Sequence, residues 1–228
     1  IYTLSLHDAL PIYQPDDALE RFGVGFAPAG WDNLANVLRS RGFTERELVA
    51  SGLCGEGAGG RRVYDRFRDR IMWPIRDVTG ATVGFGGRRL SDEDASVPKY
   101  LNTPETAIYH KGQVLYGLDL AKRDIAAGHR VVVVEGYTDV MAAHLSGVTT
   151  AVATCGTAFG ADHARIVRRL LGDAADPSAG VLAGDRVRGG EVIFTFDGDA
   201  AGQKAALRAY GEDPVGRSEE RRVGKECR

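Results

Sequence analysis

Cysteine is sparse and scattered in this 228-residue chain: Cys54, Cys155 and Cys227 form no CxxC pair. That spacing argues against a zinc cluster or a disulfide framework and leaves reduced, structural thiols. No uninterrupted apolar run approaches the roughly 20 residues that cross a bilayer, and no basic, apolar, then small-residue start marks a secretory signal. A soluble, cytoplasmic protein with no membrane partner is expected. Excess positive charge is lacking too, since the formal net charge is -2 at pH 7, which argues against coating nucleic acid through bulk charge. His110, His129, His144 and His163 show no HxxxH or HExxH spacing, so core or surface roles are expected for them. No internal repeat is visible at a useful period.

What is present is unevenly placed. Eight arginines (Arg61, Arg62, Arg66, Arg68, Arg70, Arg76, Arg88, Arg89) lie between residues 61 and 89 against three acids (Asp65, Asp69, Asp77), whereas carboxylates gather later in the chain. One face is therefore expected to be basic and another acidic. The opening IYTLSLHDALPIY and the closing GRSEERRVGKECR differ in character from the rest and resemble translated adapter sequence. Residues 1–15 and 215–228 are expected to be non-native tails.

Between these ends the periodicity changes twice. From Asp17 to about Leu53 the signals are helical, with Leu34, Val37 and Leu38 marking an apolar face and Thr44 with Glu47 forming a capping-box pattern. Residues 61–90, with VYDRF, IMWPI and TVGFGG, are rich in β-branched and aromatic residues, and Thr79-Gly80 is placed as a turn; this reads as a β meander. After Lys122, VVVVEG, TDVMAAHL, TTAVA, ADHARIVRRLL, EVIFTFDGD and AAGQKAALRAY alternate as strand and helix. Short aliphatic runs alternating with amphipathic helices predict a parallel sheet covered on both faces, with Met141 and Ala142 in its core and residues 172–190 as a long loop.

Acids close two of these strands. Glu135 follows VVVV with Asp139 four residues on, and Asp197 and Asp199 follow VIFTF. Ligands in open α/β sheets sit beyond the carboxyl ends of strands, so the four carboxylates are expected to converge on one crevice. Their mutual repulsion is relieved by a hard divalent cation, and oxygen-only donors suit Mg²⁺ or Mn²⁺. Phosphoryl or nucleotidyl transfer is the chemistry such a cluster serves. Taken singly, Asp139 or Asp199 is better explained as a helix-terminal charge.

The segments VVVEGYTDV and FTFDGDAAGQKAA resemble the two hallmark stretches of a TOPRIM domain in its DnaG-type bacterial primase version. Upstream, RFRDRIMWPI, GFGGR and PKYLNTPET resemble the N-terminal subdomain of the same primase core. The resemblance implies an α/β protein: a mixed α+β subdomain over residues 16–125, then a Rossmann-like TOPRIM domain over 126–214 with a mainly parallel sheet, cut short at its C-terminus. It implies a DNA-directed RNA polymerase that makes short RNA primers from NTPs on single-stranded DNA. Glu135, Asp197 and Asp199 would then be the catalytic, metal-binding acids with Asp139 in support. Arg66, Arg68, Arg88, Lys99, Tyr100 and Asn102 would line the groove for template and nucleotide. The resemblance further implies a zinc module upstream and a third acidic segment after Tyr210, neither of which is seen here, and a replicative helicase as partner of the full-length parent. A TOPRIM nuclease or topoisomerase leaves PKYLNTPET and RFRDRIMWPI unexplained. A dehalogenase-type hydrolase would place its DxD on an early strand. A non-catalytic nucleic-acid-binding module is the remaining alternative.

Overall fold

The computed structural model describes residues 16–60, 62–91, 96–172 and 190–195. The chain divides into two compact units, the first formed by residues up to Ile75 with Thr82–His110, the second by Arg76–Ala81 with the chain from Lys111 onward. Both expected tails, the AAGQKAALRAY segment and most of the expected 172–190 loop lie outside the described residues.

The first unit opens with α1 (Asp16–Phe22), β1 (Gly25–Ala27), α2 (Asn33–Ser40) and α3 (Glu45–Ala50), continues through β2 (Cys54–Glu56) and β3 (Val63–Asp65), and ends with β4 (Arg70–Arg76), β5 (Thr82–Arg89) and β6 (Tyr100–Asn102). The last three strands and β1 make a sheet in the order β1-β4-β5-β6, and β2 and β3 form a separate antiparallel pair. The expected capping box starts α3: Glu47 N–H donates to Thr44 Oγ1 at 3.3 Å, and Thr44 N–H donates back to Glu47 Oε2 at 2.7 Å. The Thr44 N–H and the Thr44 hydroxyl, both donating to Glu47 Oε2, hold the Glu47 carboxyl below its ordinary pKa. Pro74 lies past the end of the β1 pairing, which stops at Gly25 opposite Met72, so its missing N–H breaks no β1 bond.

The buried face of α2 differs from the expected one. Ala35 is fully buried and packs with Leu48, Cys54 and Val63, flanked by Leu38, whereas Leu34 and Val37 are exposed. The helix is oriented by a residue outside it. Asp65, buried at the end of β3, accepts from Leu34 N–H at 2.7 Å and Ala35 N–H at 2.9 Å, satisfying two of the donors a helix start leaves without partners.

The second unit alternates as expected: α4 (Leu118–Gly128), β7 (Arg130–Val134), α5 (Tyr137–Leu145), β8 (Ala151–Ala153), α6 (Ala161–Leu170) and β9 (Glu191–Phe194). Its sheet runs in the order β8-β7-β9 with both pairings parallel, and Val133 stands between Val152 and Phe194. Val131, Val133, Val152, Ile125 and Val167 are buried to within 1 % exposure and form the centre of the core. Helix α4 contributes Leu118, Ala121 and Ile125 to that core, so it packs with the second unit. Met141 is buried as expected, but Ala142 faces solvent. Among the described residues no helix is long and apolar enough to cross a membrane.

Two histidines are core residues. His144 places Nε2 2.9 Å from Ala151 O. His163, in the first turn of α6, accepts from Gly160 N–H at Nδ1 (3.3 Å) and directs Nε2 at Lys111 O (3.1 Å), an arrangement that fits the neutral ring. Burial holds its pKa below the ordinary 6.5. The unfolded chain therefore takes up this proton more readily, and stability should fall as pH drops through 6.5. Urea unfolding of wild type and His163→Gln should show their stability difference shrinking as pH is lowered. Asp65→Ala should cost about 2 kcal/mol in the same assay, because a buried cap is lost.

Candidate functional site

Two of the expected acids, Glu135 and Asp139, follow the carboxyl end of β7. The strand runs to Val134, Glu135 follows on the surface, Gly136 opens the turn, and α5 begins at Tyr137. Asp139 lies in the first turn of α5, where its Oδ2 accepts from Gly136 N–H at 2.9 Å. That bond occupies a helix-start donor, the role that acids in this position commonly take. Alongside, β9 ends with Thr195 N–H donating to Val133 O at 2.9 Å. Asp197 and Asp199 lie outside the described residues. Among the described residues no set of three or more His, Cys, Asp or Glu side chains is placed to hold a metal ion. The donors that are described here, two carboxylates at a strand end, are of the hard-oxygen kind that suits Mg²⁺ or Mn²⁺.

Cys155, just after β8, is buried, and burial pushes its thiol far above the ordinary value despite a hydrogen bond from Tyr137. Cys54 is likewise buried and unpaired, with its thiol pushed up by burial. Both fit the structural role expected of them.

In the first unit three of the expected groove residues share a face. Arg88 stands directly opposite Tyr100, and Gly86 opposite Asn102, in the antiparallel β5–β6 pair, so the side chains of Arg88, Tyr100 and Asn102 leave the sheet on the same side. Tyr100 is half exposed, Arg88 is buried, and Lys99 precedes Tyr100 at the surface. Arg66 and Arg68 are engaged elsewhere in the unit. Arg66 Nε donates to Gly52 O at 3.0 Å, and Arg68 donates to Asp65 O and lies over the Trp31 ring.

Two arginines outside the expected set fix the loop before β6. Arg70, 3 % exposed, donates from Nη2 to Pro98 O at 2.8 Å and from Nη1 to Lys99 O at 3.2 Å and Gly87 O at 3.3 Å. Arg89 Nη1 donates to Val97 O at 2.7 Å. Three consecutive carbonyls are thus held, and with them the register that carries Lys99 and Tyr100. Gly87 makes room for this: a Cβ there would come within 2.9 Å of Met72 Sδ and 3.2 Å of Arg70 Cδ. Burial, with Arg89 and Arg68 adding repulsion, holds the Arg70 pKa below its ordinary value. Such a cation is retained at a cost, which the carbonyl acceptors offset. Within RFRDR nothing in the sequence separates Arg70 from its neighbours, because its partners lie 28 and 29 residues away. Arg70→Met should destabilise the unit by roughly 2 kcal/mol and raise amide exchange at Tyr100 and Leu101 about tenfold or more, as read by hydrogen exchange.

Two family models match. Residues 14–122 fit the DNA primase catalytic core, N-terminal domain, and residues 129–223 fit the Toprim domain, a match that takes in part of the expected C-terminal tail. A DNA primase of Streptomyces coelicolor is 61% identical over 196 residues, which is 86% of this chain and 28% of that protein. The RNA polymerase domain of Mycobacterium tuberculosis primase DnaG has the same fold at a TM-score of 0.78 and 50% identity, over 93% of this chain and 65% of that one. The same domain in complex with a double-stranded DNA oligomer with a 6-nucleotide overhang matches at 0.73 and 54% identity, over 86% and 57%. The chain spans about 28% of the length of the Streptomyces relative. Two adjoining family matches in the expected order, with this identity and this shared fold, place the chain in the DnaG-type bacterial DNA primase family, across its catalytic core and Toprim domain.

Proposed function

We propose that this chain supplies the nucleotidyl-transfer core of a primase that makes short RNA primers from NTPs on single-stranded DNA. The observation that carries the reading is Glu135 at the carboxyl end of the central parallel strand, with β9 ending beside it and leading in sequence to Asp197 and Asp199. A bound Mg²⁺ or Mn²⁺ ion would supply charge stabilisation at the transferring phosphoryl group. Glu135, Asp197 and Asp199 would hold it, with Asp139 acting through the turn at Gly136. Arg88, Tyr100 and Asn102, on one strand pair, with Lys99 just before it, would bind and orient nucleotide and template, and Arg66 and Arg68 would extend the basic surface. The DNA complex of the Mycobacterium domain supports a nucleic-acid partner. A cytoplasmic setting at the replisome, with the replicative helicase engaged by the parent protein, follows from the same reading.

The test is primer synthesis from labelled NTPs on single-stranded DNA by a full-length primase carrying this core, with Mg²⁺ or Mn²⁺ added. Glu135→Gln should cut synthesis by roughly 100-fold, since several kcal/mol of charge stabilisation are at stake, while leaving DNA binding in place. Nicking of the DNA would point to a nuclease, and binding without any synthesis by the unaltered enzyme would point to a non-catalytic module.

A further inference from the structure

The chain passes between the two units three times, at 75/76, 81/82 and 110/111. The first two passages are the arms of the β4–β5 turn, so Arg76 and residues 77–81 belong to the second unit, while the rest of both strands belongs to the first. Helices of the second unit hold the turn and the third passage. Asp119 Oδ2 lies 3.7 Å from Arg76 Nη1, and the two side chains are 12% and 27% exposed, so the pair is screened less than one at the open surface. Lys122 Nζ donates to Val78 O at 2.6 Å. Asp119 and Lys122 stand three residues apart on α4, which puts them on one face of it. His163 Nε2, from α6, lies 3.1 Å from Lys111 O.

The turn is stiff enough to transmit this hold. Asp77 Oδ1 accepts from Thr79 N–H at 2.8 Å, from the Thr79 hydroxyl at 2.6 Å and from Ala81 N–H at 3.0 Å, and Gly80 takes the positive φ of 96° that closes the turn. From the turn β5 runs on to Arg88, whereas Glu135 follows β7 in the second unit. A transfer that uses groups on both strands depends on how firmly they are joined, since a misplacement of about 1 Å can cost about 100-fold in rate. We propose that Asp119 and Lys122 are positioning residues for nucleotidyl transfer: by gripping the β4–β5 turn they tie the strand that bears Arg88 to the unit that bears Glu135. This rests on the functional reading above and adds to it two residues that act through the turn and touch neither nucleotide nor metal.

The test is steady-state primer synthesis at varied NTP concentration by a full-length primase carrying this core, with binding of a labelled oligothymidylate and of Mn²⁺ measured on the same proteins. Asp119→Arg should lower kcat about 10-fold, with KM for NTPs and the affinities for DNA and Mn²⁺ unchanged, because the groups that bind each ligand are intact and only the joint step suffers. Combining Arg76→Asp with Asp119→Arg restores the pairing with its charges exchanged and should recover most of kcat. Lys122→Met, which loses only the bond to Val78 O, should show a smaller fall in kcat of the same kind, and it decides the matter if Asp119→Arg fails to fold. An unchanged kcat in the folded variants, no recovery on charge exchange, or a fall in kcat matched by lost DNA and Mn²⁺ affinity would each overturn the positioning role while leaving the nucleotidyl-transfer reading intact. Absence of primer synthesis by the unaltered enzyme would overturn both.

Discussion

The position of β7 in the middle of its sheet is the constraint on which the acidic end depends. The strand is hydrogen-bonded on both sides in parallel register, and Val131 and Val133 are almost completely buried between the covering helices. Sliding the strand would break its ladder with both neighbours at once and carry Arg130 or Glu135 toward a buried valine position. Its last residue therefore delivers Glu135 to a fixed place. Gly136, in extended conformation, then leads into α5, and its N–H donates to Asp139 Oδ2 in the first turn.

The first unit solves a different problem, which is how to present cations on irregular backbone. Arg70 and Arg89 are spent on carbonyls, and this leaves Lys99 and Tyr100 projecting from a loop with its carbonyls satisfied. Asp65 plays the corresponding part for α2, where a carboxylate from a neighbouring strand replaces a local cap. In both cases a buried charged side chain binds backbone groups of a neighbouring segment and fixes that segment in place. Of the arginines in residues 61–89, Arg66, Arg68, Arg70 and Arg89 each donate to backbone carbonyls of the first unit.

What could be read from the sequence was local or periodic. The alternation of aliphatic runs with amphipathic helices specified the parallel sheet, and Thr44 with Glu47 specified the start of α3, because each signal spans only a few residues. Single-helix periodicity was weaker: α2 carries apolar residues around much of its circumference, and only the Leu48, Cys54 and Val63 cluster selects Ala35 and Leu38 over Leu34 and Val37. The roles of Asp65 and Arg70 were not legible, since their partners lie 28 to 31 residues away. Of the expected site, Arg88, Tyr100 and Asn102 share one face and Glu135 and Asp139 share one turn, while Arg66 and Arg68 engage a different part of the first unit.

The measurement that bears most directly on the central claim is Mn²⁺ binding, followed by electron paramagnetic resonance of the free ion, to the wild-type chain and to Glu135→Gln. If Glu135 at the end of β7 is the anchor of a nucleotidyl-transfer centre, the wild type takes up Mn²⁺ and the Gln variant loses about tenfold or more in affinity, the equivalent of roughly 1.4 kcal/mol. Equal Mn²⁺ affinity in the two proteins, with both shown to be folded, would contradict the assignment.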